Sequence, residues 1–490
     1  MRRCIQYLRQ NPEASSHDGA ENEKLVIHEV SFRLANPSAA TAENAKWARF
    51  DAVLYPEPLI EKAAQFWGWM GDGISSRHAD FLLERFRFMT SATLSADGGS
   101  LQLSRSPQEQ AEAEETFGQD EANSAISTAP PWASSDAGTK EKIKTLIANW
   151  VTSQKPGQGV VSPHEHVFLY PKGMCAIGAI ARTLAQLPTA DTHSSEVVVF
   201  GWPYGSTPKC VQRSGYGRFA FYSQGTSEEL DQLELSLAAG RRIACLFCEV
   251  PSNPGCATPD LCRIRRLADQ YHFAVVCDET IGTFFNVDVL PYVDVVITSL
   301  TKMFSGACNV MGGSVVLNAH SAFYPVLYSE LTRTHEELIF PVDAEVLLHN
   351  CADFPDRVRN ANRTALAVVD FLQSQPSTVI ARVNYPDRVP SAALYERYRR
   401  RPDGGYGSLI SVVFRDPEVA VRFYNAVDLC KGPSFGANFT LVLPYSQLAH
   451  AFELDWAESQ GMPKHIVRIS VGLEDEATLI GKLRQALDKI

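Results

Sequence analysis

The sequence predicts an α/β protein built on a mostly parallel sheet with helices on both faces. Short apolar runs at 196–200, 244–250, 273–278 and 293–299 read as strands buried on both sides, and the segments 227–239 and 259–271 between them read as covering helices. In such sheets ligands bind beyond the carboxyl ends of the strands. Those ends are therefore where chemistry is expected.

Taken in order, residues 1–24 are polar and aperiodic and are expected to form a loose terminus. Residues 25–34 alternate as a strand, and 58–70 read as a helix with Pro58 near its start. The turn Gly-Asp-Gly-Ile-Ser-Ser-Arg at 71–77 leads into a helix over 78–89. From 91 to 140 the composition shifts to Ser, Ala, Gly, Glu and Gln, with Pro130 and Pro131 near the end. So few large apolar residues cannot offset the ordering entropy, so a mobile surface insertion is expected, with a short helix over 108–115.

A helix over 141–151 and a strand over 166–170 lead into Lys172-Gly173-Met174 and a helix over 175–187. A glycine at such a strand-to-helix turn leaves backbone N–H groups for an anion, favoured by the helix dipole. Beyond the sheet, 344–375 is helical, 409–414 and 466–471 are strands, and 417–427 and 476–490 are helices. The expected division is an N-terminal extension 1–140, a large domain 141–340 and a small C-terminal domain 341–490. That fits the two or three domains a 490-residue chain can form.

Composition narrows the partners. A net charge of −11 without a basic cluster gives no electrostatic footprint for nucleic acid. No apolar run is long enough to span a membrane, and no signal core follows the basic Met1-Arg2-Arg3-Cys4, so a cytoplasmic protein is expected. The odd cysteine count, eleven, and their placement in apolar runs point to reduced core thiols. Cys245 and Cys248 form a CxxC, but on a strand they face opposite sides. His164 and His166 have no further ligands at metal spacing, so no metal site is expected.

Four consecutive strand ends carry distinct chemistry. They are Trp202-Pro203-Tyr204-Gly205-Ser206-Thr207, then Glu249 through Asn253-Pro254, then Asp278-Glu279-Thr280, then Ser299-Leu300-Thr301-Lys302. A lone lysine after a strand is usually a solvated loop residue. An aromatic, an amide, a carboxylate and a lysine together are what pyridoxal phosphate (PLP) requires. The ring needs a flat partner, its oxygen a donor, its nitrogen a carboxylate and its aldehyde an amine.

With Lys172-Gly173-Met174, Tyr204 to Thr207, Glu249 to Pro254, Cys277 to Thr280, Ser299 to Lys302 and Val467 to Asp475 in place, the chain resembles the Cys/Met-metabolism PLP enzymes. These have the fold type I, aspartate aminotransferase-like architecture, and the resemblance is especially to the fungal-type cystathionine γ-synthases. The likeness runs from about residue 60 to the C-terminus outside the insertion. It implies PLP held covalently by Lys302, which then moves protons, with Asp278 at the ring nitrogen, Asn253 at the ring oxygen and Tyr204 stacked on the ring as a helper in proton transfer. It also implies phosphate binding by the Gly173 and Met174 N–H groups with the Ser299 and Thr301 hydroxyls. Arg468 would clamp the substrate carboxylate beside Thr440. Arg77 would reach the phosphate of a neighbouring subunit, making a homodimer or homotetramer.

The implied reaction is γ-replacement on an O-acyl-L-homoserine through a vinylglycine-type intermediate, with cysteine or another S, C or N nucleophile. The alternatives are a γ- or β-lyase of sulfur amino acids and a noncatalytic assembly protein. The family's Tyr-Ser-Arg reads Ser75-Ser76-Arg77, its preceding acid falls at Ile74, and a second expected glutamate reads Phe439. The PLP set stays complete. Both carboxylates that would receive the ammonium of cysteine are lost.

Overall fold

The computed structural model describes residues 2–9, 26–34, 42–96, 136–187 and 195–490. The chain divides into two compact units, Met1–Gly138 with Phe340–Glu345, and Thr139–Ile339 with Val346–Ile490.

The first unit holds an antiparallel sheet in which β1 (His28–Leu34) lies between β2 (Arg49–Leu54) and β3 (Met89–Ala96). Its start is not a loose terminus. Arg2–Arg9 is a helix whose Ile5 and Leu8 pack with Ile27, Leu59 and Ala63. One apolar pair three residues apart is too little to announce a helix without its packing partners.

Two further boundaries differ from expectation. The helix expected over 78–89 runs Ser76–Arg85, because the Ser75 hydroxyl accepts the His78 N–H at 3.1 Å and caps it. The chain from Met89 then enters β3, so the segment starting at 91 opens as a strand registered on β1, from Met89 opposite Leu34 to Ala96 opposite His28. Backbone pairing on an existing strand supplies order that its composition alone does not suggest. The short helix expected over 108–115 lies outside the described residues. Phe340 stacks on His78 at 4.8 Å and packs with Trp47 and Phe81, which ties 340–345 to this unit.

The helix Asp136–Val151 starts earlier than expected, and the second unit begins within it at Thr139. Its seven-stranded sheet runs β4 (Val167–Tyr170), β10 (Gly313–Leu317), β9 (Val295–Thr298), β8 (Ala274–Asp278), β7 (Cys245–Glu249), β5 (Glu196–Phe200) and β6 (Arg218–Tyr222). The strands from β6 to β9 are mutually parallel, and β10 is antiparallel to both β9 and β4. Helices Gly173–Ala185, Ser206–Gln212, Ser227–Ala238 and Leu261–Tyr271 connect these strands. The sheet is therefore mostly parallel, as the apolar runs predict.

The Cys245 thiol lies against the Tyr216 hydroxyl at 3.1 Å, while Cys248 faces the Val276 carbonyl. Among the described residues the eleven cysteines form no disulfide.

A second sheet in the same unit orders β11 (Ile380–Asn384), β12 (Leu409–Phe414), β15 (Val467–Ser470), β14 (Leu441–Pro444) and β13 (Cys430–Lys431). Val368, Leu372, Ile410, Val412, Phe423, Ile469 and Leu483 form its core with the helices Phe354–Gln373, Pro417–Ala426 and Glu476–Leu487. Asp475 caps the last helix at the Thr478 N–H. Among the described residues no helix is long and apolar enough to cross a membrane.

Candidate active site

The carboxyl ends of β5, β7, β8 and β9 lie side by side. Asp278 is the last residue of β8. Its Oδ1 accepts the Thr280 N–H at 2.9 Å and the Thr280 hydroxyl at 2.5 Å. Thr280 Oγ1 in turn accepts the Ser299 N–H at 2.8 Å, joining the ends of β8 and β9. Sequence reasoning assigned Thr280 no role. Its signal is a hydroxyl two residues after an aspartate, the spacing of a local side-chain turn. Burial pushes the Asp278 carboxyl above its usual range, opposed by the two Thr280 hydrogen bonds and by the charge of Lys302.

Lys302 follows β9 in a turn closed by Lys302 N–H to Ser299 O at 3.3 Å and Gly306 N–H to Lys302 O at 2.8 Å. Its Nζ donates to the Ser434 hydroxyl at 2.9 Å and lies 4.9 Å from the Phe435 ring centroid. Burial, then the nearby Arg468 charge, lowers the ammonium to about 8. The amine is thus far easier to deprotonate than an ordinary lysine.

Two devices fix this turn. Buried Arg357 donates to the carbonyls of Met303 (2.7 Å), Phe304 (2.8 Å) and Asn350 (2.8 Å), and its Nε reaches Asp353 at 2.7 Å. The 433–438 loop crosses close above, where Gly436 sits at φ 68°. A Cβ there would stand 2.6 Å from the Met303 nitrogen, so only glycine allows the approach.

Arg468, on β15, is only 3% exposed. It donates to Asn253 Oδ1 at 3.1 Å and to the carbonyls of Pro433 (2.7 Å) and Ser434 (2.9 Å). Burial lowers its guanidinium to about 10. The same hydrogen bond turns the Asn253 amide, whose Nδ2 is buried without a partner. A buried orphan donor at a ligand site marks a group awaiting an acceptor. Neither Ser434 nor the Asn253–Arg468 bond was legible in the sequence, because 253, 302, 434 and 468 meet only through the two sheets.

The helix Gly173–Ala185 begins against Ser299. A Cβ on Gly173 would come 2.8 Å from the Ser299 Cβ. Gly173 and Met174 thus place the first turn of a helix, with its unpaired N–H groups, beside Ser299.

Thr301 departs from expectation. Its hydroxyl donates to Gly312 O at 3.3 Å and accepts Gly312 N–H at 3.1 Å, so it fixes the chain leading into β10 and is not an open donor for an anion. Thr440 departs more clearly. It is fully buried, with its hydroxyl donating to Glu474 at 2.7 Å and accepting Gly472 N–H at 3.0 Å. It offers a substrate nothing directly and holds the loop that carries Phe439.

Tyr204 is 43% exposed, and its backbone N–H donates to Glu249 Oε1 at 2.6 Å. Arg77 belongs to the first unit, where its guanidinium pairs with Asp343 at 2.9 Å. Asp278, the orphan amide of Asn253, an easily deprotonated Lys302 and the glycine-started helix at Ser299 fit PLP. They supply a carboxylate, a donor, an amine and an anion cradle.

Comparison with known proteins agrees. The family model described as Cys/Met metabolism PLP-dependent enzyme matches residues 161–488, and that of the fungal trans-sulfuration enzyme N-terminal domain matches residues 1–75. The chain is 49% identical over 470 residues to the cystathionine gamma-synthase-like protein ankD of Aspergillus thermomutatus, with 96% of this chain and 79% of that one covered. It is 36% identical over 542 residues to the cystathionine gamma-synthase of Neurospora crassa, with 99% and 84% covered. The structure of cystathione gamma lyase (CalE6) from Micromonospora echinospora shares the fold at a TM-score of 0.59 and 22% identity, over 71% of this chain and 86% of that one. The fold is type I, the protein is a PLP-dependent enzyme acting on amino acids, and the chain belongs to the Cys/Met metabolism PLP-dependent family as a cystathionine γ-synthase-like member.

Proposed function

We propose that the enzyme replaces the γ-substituent of an O-acyl-L-homoserine with a nucleophile other than a simple zwitterionic amino acid. The observation carrying this reading is that Lys302 Nζ and the Arg468 guanidinium both bond to Ser434, while Ile74 and Phe439 occupy the sequence positions of the two family carboxylates. PLP, when bound, supplies a sink for the electrons released at the substrate's α and β carbons. Arg468 receives the substrate α-carboxylate in a planar fork, held on the Asn253 and Pro433 oxygens so that it does not swing away. Lys302 Nζ, lowered to about 8, is the amine that takes and returns protons at substrate carbon. With the cofactor bound, Asp278 would hold a proton at the ring nitrogen, Asn253 Nδ2 would donate to the ring oxygen, and Tyr204 would cover the ring face.

The first experiment is the absorption spectrum of the holoenzyme before and after O-acetyl-L-homoserine, without a nucleophile, followed by product analysis. A long-wavelength shift and slow turnover support the reading. No spectral response overturns the choice of substrate, and rapid release of ammonia with a keto acid makes the enzyme a lyase.

The nucleophile is read from what stands where the family has acids. Ile74 and Phe439, respectively 45% and 40% exposed, are apolar and cannot receive an ammonium group. Cysteine is therefore expected to be a poor second substrate. Phe439→Glu is expected to raise kcat/KM for cysteine by about tenfold or more, equivalent to roughly 1.4 kcal/mol of binding in the transition state. An unchanged ratio of cysteine to uncharged nucleophiles removes Phe439 from the specificity site.

We also propose that Arg77 serves the phosphate of a neighbouring subunit, which makes the working unit a homodimer or larger. Mixing Arg77→Ala and Lys302→Ala, each inactive alone, is then expected to restore about a quarter of native activity. Half the dimers that form are mixed, and each has one intact site. No recovery after subunit exchange, verified by native mass spectrometry, places Arg77 in its own chain's site or outside catalysis.

A further inference from the structure

Two carboxyls at the strand ends, Glu249 and Glu279, have no task in the reading above. Glu249 closes β7 and stands in register with Asp278 across the parallel β7–β8 pair. The two side chains share a sheet face and line one small cavity with Ile177, Thr207, Phe247 and Ile297. Glu249 is only 6% exposed. The groups that reach it are backbone N–H groups, Tyr204 at 2.6 Å and Asn253, and no cation pairs with it among the described residues. The titratable groups facing it are Asp278 on β8, Cys248 beside it on β7, and Tyr445 from the second sheet's side.

Adjacent shielded carboxyls do not both ionise readily, and the proton settles where the anion is less well solvated. Asp278 has two Thr280 donors on one oxygen and Lys302 nearby. Glu249 has neither a hydroxyl donor nor a cation. Burial and then the Asp278 charge push its carboxyl well above the usual range, against the opposing effect of the Tyr204 and Asn253 N–H groups.

We infer that Glu249 is a neutral carboxylic acid in the working enzyme and a positioning residue: it anchors the Tyr204 turn by accepting the Tyr204 N–H and, by keeping the shared proton, leaves Asp278 as the single anion of the pair. The inference rests on the assignment of Asp278 and Tyr204 to the cofactor. A glutamine at 249 reproduces the neutral acceptor, whereas an alanine removes it.

The test compares native, E249Q, E249A and D278N holoenzymes. The infrared spectrum is expected to show a protonated-acid carbonyl stretch at neutral pH in the native protein that E249Q lacks. The pH midpoint of the bound cofactor's visible band is expected to move by less than about 0.3 unit in E249Q, since no charge is removed. E249A is expected to lower kcat about tenfold with little change in KM, and E249Q to recover most of that loss. The proposal fails if the native protein lacks the band, if E249Q moves the midpoint by about a unit or more as loss of an anion does, or if E249Q and E249A lose kcat equally. If D278N leaves the cofactor's band and its titration unchanged, the assignment of Asp278 fails instead.

Discussion

Lys302→Ala is expected to lower turnover at least about a thousandfold, roughly 4 kcal/mol of barrier, while leaving the fold intact. The amine is the group the site is arranged to activate. Its Nζ rests on the Ser434 hydroxyl and the Phe435 ring, and its backbone is pinned by Gly306 and by the close passage of Gly436. Alanine keeps that backbone and removes only the amine. Circular dichroism and unfolding temperature should be near native, and a normal turnover number rules Lys302 out as the catalytic amine.

The lowered ammonium gives a companion measurement with a definite sign. With deprotonation near 8, labelling of Lys302 in cofactor-free protein by formaldehyde and a borohydride should rise about fivefold from pH 7 to 8 and less than about twofold from pH 8 to 9. An ordinary lysine rises about tenfold over each step. Peptide mass spectrometry reads the two patterns apart. The same shift links to stability. The folded protein releases this proton before the unfolded chain does, so below about 8 the buried ammonium is a penalty, and its contribution to stability improves as pH rises from there toward the ordinary lysine range.

Asp278→Asn is expected to lower kcat about a hundredfold to a thousandfold, roughly 3–4 kcal/mol, with KM changed by less than about threefold. Asparagine keeps the size of the side chain and an oxygen for the Thr280 donors, but carries no charge to hold a proton at the ring nitrogen. Arg468 and its anchors on Asn253, Pro433 and Ser434 are untouched, so substrate capture should survive. Steady-state kinetics with the visible spectrum of the bound cofactor decides it. A mutant that loses KM instead of kcat moves Asp278 from the chemistry to substrate binding.

The parallel sheet and the four chemical groups at its strand ends are legible in the sequence, because both depend on short local patterns. An apolar run of the right length buries on both faces wherever it lies, and a functional residue directly after it is carried to the sheet edge. Tyr204, Asn253, Asp278 and Lys302 were legible for that reason. Arg2–Arg9 and Met89–Ala96 were not, since each is ordered by partners far away in the chain, the helix by Ile27, Leu59 and Ala63 and the strand by β1.

Which polar atoms remain available depends on neighbours that no local pattern announces. Thr301 and Thr440 carry the right hydroxyls, yet Gly312, Glu474 and Gly472 occupy them. Ser434, Thr280 and Glu249, given no role by pattern, stand against Lys302, Asp278 and the Tyr204 turn. A hydrogen-bonding group has few valences, and whether they are satisfied depends on neighbours that the fold brings together from distant parts of the chain.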